Sequence, residues 1–170
     1  MEVKTALLVI DVQQEIFEQK TPVYRAEEML ANINALVEKA HQAAAPVVYI
    51  QHSNNQGFQP GSRGWQLHQA IQPQAGDLHI DKLQGNAFAE TELAPMLEKR
   101  GIERIVCCGL VTQGCVRATC LGGLELGFEV VLASDAHSTY SKTAKQIIKQ
   151  RQQELTEAGV TLLLSEEISF

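Results

Sequence analysis

Along the 170-residue chain, largely apolar runs rich in β-branched residues recur at positions 6–10, 46–50, 105–108, 129–133 and 160–164, with a weaker one at 78–80. Runs without polar alternation predict strands covered on both faces, as in a parallel sheet. Between them apolar residues fall at three- and four-residue spacing. The clearest series is Ala26, Met29, Leu30, Ile33, Leu36, Val37 and Ala40, followed by Leu93, Met96 and Leu97, then Val116, Cys120 and Leu124, then Ala144, Ile147, Ile148, Arg151, Leu155 and Ala158. Each predicts a helix with one buried face. Gly101 and Gly159 directly follow two of these series, where a left-handed residue ends a helix at least cost. Six strands alternating with helices predict one α/β domain over residues 1–170. Its expected form is a three-layer α/β/α sandwich around a six-stranded, mainly parallel, doubly wound (Rossmann-like) sheet with right-handed crossovers. The polar, Gln-, Gly- and Ser-rich stretch at 51–76, with Trp65 inside it, breaks the rhythm. A loop of that length leaving the carboxyl end of a strand is expected over the ligand crevice.

Composition narrows the partners. A net charge of −6 and a pI near 5.4 leave no cluster of Lys and Arg to neutralise phosphates, so neither nucleic acid nor an anionic membrane is an expected partner. The apolar run at 6–10 is too short for a signal-peptide core or a membrane span, and a cytoplasmic location is the expectation. The four cysteines all lie between Cys107 and Cys120, a placement that suits free thiols better than disulfide staples.

Reactive side chains gather at the carboxyl ends of the predicted strands, where an open α/β sheet binds its ligand. Asp11 follows the first strand, Lys82 the third, Cys115 the fourth and Asp135 the fifth. Taken singly, each reads most simply as a solvated charge or a cap. Cys115 carries more, because the segment Gly109-Leu110-Val111-Thr112-Gln113-Gly114-Cys115-Val116 is a strand-to-helix connection. A thiol at such a helix start is expected to have a lowered pKa, with nearby N–H groups able to bind an oxyanion. Cys107 and Cys108 lie inside a strand, and Cys120 shares the stripe of Val116 and Leu124, so these three read as small core residues. Asp11 and Lys82 supply the acid–base group and the cation that a thiol nucleophile needs, provided the fold brings them together.

These residues resemble the isochorismatase-like cysteine hydrolases over nearly the whole chain. The likeness is carried by Val9-Ile10-Asp11-Val12-Gln13, Gly64-Trp65-Gln66-Leu67-His68, Lys82 with Asn86-Ala87-Phe88 and Thr91-Glu92-Leu93, the segment 109–116, and Asp135-Ala136-His137-Ser138. The resemblance implies Asp11 as general acid–base, Lys82 as cationic partner and Cys115 as nucleophile. It also implies a cis peptide at Leu110-Val111, which turns the N–H of Val111 toward the oxyanion beside that of Cys115. Gln13, Phe17, His52, Trp65, Phe88 and Gln113 are the expected substrate contacts. Gln113 stands where many relatives have an acidic residue, and Thr-Gln-Gly-Cys is closer to the branch resembling N-carbamoylsarcosine amidase. The expected reaction is hydrolysis of a C–N bond in a small amide or carbamoyl metabolite through a covalent Cys115 intermediate. The alternatives are vinyl-ether hydrolysis of the isochorismatase type, or a non-catalytic metabolite-binding or scaffold protein of the same fold. Assembly into a homo-oligomer is also expected, with the loop containing Phe58 and Trp65 at the interface.

Five histidines raise the question of a metal, and nicotinamidases of this family bind zinc through an Asp-x-His pair and further histidines. Here the matching region reads Gln51-His52-Ser53-Asn54-Asn55. Without the aspartate, His52 and His68 make too few ligands, and no metal is expected. His41 reads as an exposed helix-end residue, while His79 in the weak strand can face either way. Neither a Gly-x-Gly-x-x-Gly after the first strand nor a Gly-x-x-x-x-Gly-Lys-Ser/Thr occurs, and Cys-x-x-Cys is absent, so no nucleotide or other cofactor is expected.

Overall fold

A computed structural model describes residues 2–170. All six predicted strands form: β1 (Thr5–Ile10), β2 (Val47–His52), β3 (Leu78–Lys82), β4 (Arg104–Leu110), β5 (Glu129–Ser138) and β6 (Thr161–Leu163). They make one sheet in the order β3-β2-β1-β4-β5-β6, and every pair is parallel. The helices are α1 (Gln14–Phe17), α2 (Ala26–Gln42), α3 (Leu93–Lys99), α4 (Arg117–Glu125) and α5 (Ala144–Ala158).

Alternate residues of β1 feed the two sides of the sheet. Leu7 and Val9 join the core under α2, with Met29, Ile33 and Leu36, whereas Ala6, Leu8 and Ile10 join Leu93, Leu97, Cys120 and Leu155 of α3, α4 and α5. This period of two, with both faces covered, explains why β1 is apolar at every position from Ala6 to Ile10. Gly101 and Gly159 adopt φ of 68° and 113°, as their places after α3 and α5 require. Among the described residues no helix is long and apolar enough to cross a membrane.

Three features differ from the sequence reading. β5 runs five residues further than its apolar core, because Gly109 and Leu110 of β4 pair with His137 and Ser138 beyond a register shift. α1 is a single turn, too short to show periodicity. His41 is not a free exposed residue: its Nε2 lies 2.7 Å from Asp77 Oδ1, tying the end of α2 to the approach to β3.

The strand order runs outward in opposite directions from β1 and β4, so the crevice of the fold opens at their carboxyl ends. The long excursion between β2 and β3 is stitched across that end. Gln13 and Leu67 form an antiparallel bridge, His68 N donates to Val12 O at 2.8 Å, and Glu15 N donates to Gly64 O at 3.0 Å. Gly64 is obligatory there, since a Cβ would sit 2.3 Å from the Gly57 carbonyl.

Candidate active site

β1 delivers Asp11 in a left-handed conformation, at φ 49°, and the backbone stays pinned by a 2.9 Å bond from Asp11 N to Ile50 O. For a non-glycine residue this is strained backbone, of the kind that persists where the surroundings over-determine it. β3 ends on Lys82, 1% exposed although lysine is rarely buried unless paired. The Lys82 ammonium has four neighbours: Asp11 Oδ2 at 3.0 Å, His52 Nδ1 at 3.2 Å, Cys115 Sγ at 3.2 Å and the Gln84 carbonyl at 3.0 Å. The fold thus brings Asp11, Lys82 and Cys115 into contact from three strand ends.

Cys115 lies in a wide turn, Thr112–Val116, that precedes α4, with Gly114 in a non-helical conformation immediately before it. Upstream, Gly109 has φ 116° and packs so closely on β1 that a Cβ would be 2.1 Å from Ile10 O. The Leu110-Val111 peptide is cis.

The electrostatics correct one expectation. The Cys115 thiol is pushed up to about 12, not lowered, because burial and the facing Asp11 carboxylate outweigh the Lys82 ammonium. α4 does begin close by, at Arg117, two residues after Cys115, but burial beside Asp11 decides the ionisation. Burial likewise raises Asp11 above the usual carboxylate range, although Lys82 and the Cys115 contact pull it back. Asp11 Oδ1 is buried with no protein partner. With the thiol protonated, Asp11 and Lys82 form a neutral buried pair, whereas a thiolate would add a second anion beside a carboxylate in low dielectric. His52 is held neutral by burial and by Lys82, so its Nδ1 accepts from the ammonium and its proton sits on Nε2.

The expected substrate contacts divide. His52 belongs to the site through Lys82. Gln13 does not face a ligand: it is fully buried, its Nε2 donates to the carbonyls of His52 and Trp65 at 3.0 and 2.9 Å, and its Oε1 accepts from His52 N at 2.8 Å. It locks the long loop to β2, and no polar atom is left for substrate. Trp65 Nε1 donates to Ser53 Oγ at 3.0 Å, which anchors the same loop. Phe17 packs on His68 with ring centroids 4.3 Å apart. Phe88 is half-buried and stacks on Phe128, just before the amino end of β5, so at least one face of its ring packs on the core. Gln113 is exposed in the nucleophile's turn. Asp135 points away from this centre, accepting from Ser165 N and Oγ at 2.8 Å each and so holding the C-terminal segment. The sequence reading gave no role to the buried pair Thr112 and His137, although both lie inside segments it singled out.

Asp11, His52 and Cys115 each offer a ligand atom, all within 4.8 Å of one another. The set nonetheless does not fit a divalent cation, because the Lys82 nitrogen already lies within hydrogen-bonding distance of all three residues. A metal there would meet an ammonium at contact distance.

Comparison with known proteins points the same way as the geometry. The profile of the isochorismatase domain matches residues 5–163. Streptothricin hydrolase from Streptomyces noursei is 36% identical over 137 residues, which is 79% of this chain but 50% of that protein; the chain thus spans half the length of this relative. The secreted isochorismatase effector Isc1 from Verticillium dahliae is 30% identical over 171 residues, covering 97% of the chain and 90% of that protein. A crystal structure of an isochorismatase family protein superposes with a TM-score of 0.89 at 28% identity, over 94% of this chain and 98% of that one.

Proposed function

The chain belongs to the isochorismatase family of hydrolases, and we propose that within it this protein cleaves the C–N bond of a small amide or carbamoyl compound through a covalent intermediate on Cys115, without a metal. The observation that carries this reading is the buried Lys82 ammonium placed within hydrogen-bonding distance of both the Asp11 carboxylate and the Cys115 sulfur.

The charge state sets the order of events. Sulfur attacks the carbonyl carbon as Asp11 takes the thiol proton, so the carboxylate is neutralised while negative charge grows on the substrate oxygen. The N–H groups of Val111 and Cys115 receive that oxyanion. Asp11, now a carboxylic acid, gives its proton to the departing nitrogen, the C–N bond breaks, and an amine or ammonia leaves a thioester on Cys115. Water then attacks the thioester with Asp11 again as base, releasing the acid and restoring the thiol. Asp11's raised pKa suits both roles, since a group that gives and takes a proton works best near the operating pH. Vinyl-ether hydrolysis gives a thiol nucleophile no task, and a purely binding protein has no use for an ammonium buried against a thiol and a strained carboxylate.

A hydrolysis panel of small amides and carbamoyl compounds tests the reading, with Cys115→Ala and a chelator-treated sample beside the wild type. Release of amine or ammonia by the wild type, its loss in Cys115→Ala and its persistence after chelation are expected. Full activity in Cys115→Ala overturns the nucleophile, and loss on chelation that returns with added zinc overturns the metal-free reading.

A further inference from the structure

His137 takes no part in that chemistry, yet it lies 4% exposed near the end of β5, beside the nucleophile's turn. Its Nδ1 is 2.8 Å from Thr112 Oγ1, and its Nε2 is 2.9 Å from Gln152 Nε2 of α5. Gln152 Nε2 also donates to Ser134 O at 2.9 Å. A carbonyl oxygen only accepts, so the amide nitrogen of Gln152 must be the atom facing Ser134, and it also faces the imidazole. His137 Nε2 therefore accepts. The one proton of the neutral ring then sits on Nδ1 and is donated to Thr112. Burial keeps the ring neutral, lowering its pKa to about 4 against the opposing pull of Asp135.

Thr112 is fully buried and opens the turn that carries Cys115, directly after the Leu110-Val111 peptide. The same helix holds the far side of the turn, because Glu154 of α5 accepts from the guanidinium of Arg117, the first residue of α4. α5 thus grips both ends of a five-residue turn.

We propose that His137 is a positioning residue: fixed by Gln152 as its Nδ1–H tautomer, it holds the Thr112 hydroxyl and so sets the turn that aims Cys115 at Asp11 and Lys82. The inference rests on Cys115 being the nucleophile. His137 touches no reacting atom and acts only through Thr112. Without the hydroxyl, the ring N–H would be buried and unpaired, and the turn would shift to find it a partner.

Two measurements test this without a substrate. Long-range proton–nitrogen NMR of the isotope-labelled full chain, with the His137 signal identified by its loss in His137→Gln, is expected to show a neutral ring protonated at Nδ1. A ring protonated at Nε2 overturns the proposal. Alkylation of Cys115 by iodoacetamide, located by peptide mass spectrometry, is expected to slow about tenfold to a hundredfold in Thr112→Val and to return to within about twofold of the wild type in Thr112→Ser, since a sulfur turned away from Asp11 loses the base that takes its proton as it attacks. Rates are compared where circular dichroism shows every variant folded. A folded Thr112→Val that alkylates at the wild-type rate overturns the proposal, and where that variant does not fold the tautomer alone decides. Failure of the proposed function looks different, because Cys115→Ala would then still hydrolyse the panel.

Discussion

At the amino end of the sheet the chain turns into β4, β5 and β6 through Gly101, Gly127 and Gly159, at φ of 68°, 88° and 113°, all three exposed. At the carboxyl end the corresponding work falls to Asp11, whose own φ is 49°, and to Gly109, wedged against the backbone of β1. The two buried charged side chains that pair, Asp11 and Lys82, both lie at the carboxyl end, with Gln13, Thr112 and His137 near them, whereas the amino end of β1 buries only the hydroxyl of Thr5. At the amino end the one non-glycine in a left-handed conformation is the exposed Ala44, at φ 55° before β2, whereas the carboxyl end places its strained residue, Asp11, and the charge of Lys82 in the interior, where burial makes them costly. The contrast teaches where this fold gives up stability, and it is where three reactive groups meet.

Two glycine substitutions give the largest expected difference. Gly109→Ala places a methyl 2.1 Å from Ile10 O, where only separation of β1 from β4 relieves the clash. More than about 4 kcal/mol, or failure to fold, is expected in denaturant titration. Gly127→Ala meets nothing within 4 Å and carries only left-handed strain, about 1–2 kcal/mol. Equal losses would break the comparison.

Lys82→Met leaves the Asp11 carboxyl buried without its cation. A loss of about 3–5 kcal/mol is expected, together with loss of turnover. Arg100→Met, at the amino end, removes an exposed bond to Met96 O and is expected to change stability by less than about 0.5 kcal/mol.

Acid separates the ends further. The unfolded chain protonates His137 near its ordinary 6.5, whereas the folded chain resists down to about 4. The stability linked to this group is therefore complete above about pH 6.5 and is lost as pH falls toward 4, by about 3 kcal/mol in all. Chemical denaturation of wild type and His137→Gln across that window checks it: the wild type should lose its advantage on acidification. A difference independent of pH would refute the buried neutral ring.

The smallest effect is expected of Gln113→Glu, which places a carboxylate in the nucleophile's turn. Because Gln113 is exposed, stability should move by less than about 0.5 kcal/mol, and a shift in the panel's substrate preference would show that position 113 faces the ligand.

The strands were legible because the doubly covered sheet leaves continuous apolar runs, and Asp11, Lys82 and Cys115 were legible because each follows one of those runs, Cys115 after a short turn, within a recognisable motif. What escaped depends on direction and environment. Gln13 sits in one of the same motifs, but whether its side chain meets a ligand or the loop backbone is decided by partners far away in sequence, His52 and Trp65. The Cys115 ionisation was misread because proximity to a helix start is visible in sequence, whereas burial beside Asp11 is not. The His137–Thr112 bond joins residues 25 apart whose types alone give no sign of pairing.

The central claim is that the site rests as a thiol beside a neutral Asp11–Lys82 pair, and that the thiol proton moves only as sulfur attacks. The ultraviolet absorbance of the thiolate, recorded as the difference between wild type and Cys115→Ala during a pH titration, reads this directly. With the thiol pushed up to about 12, no thiolate signal from Cys115 should appear at neutral pH. A full thiolate signal already present at pH 7 would contradict the account.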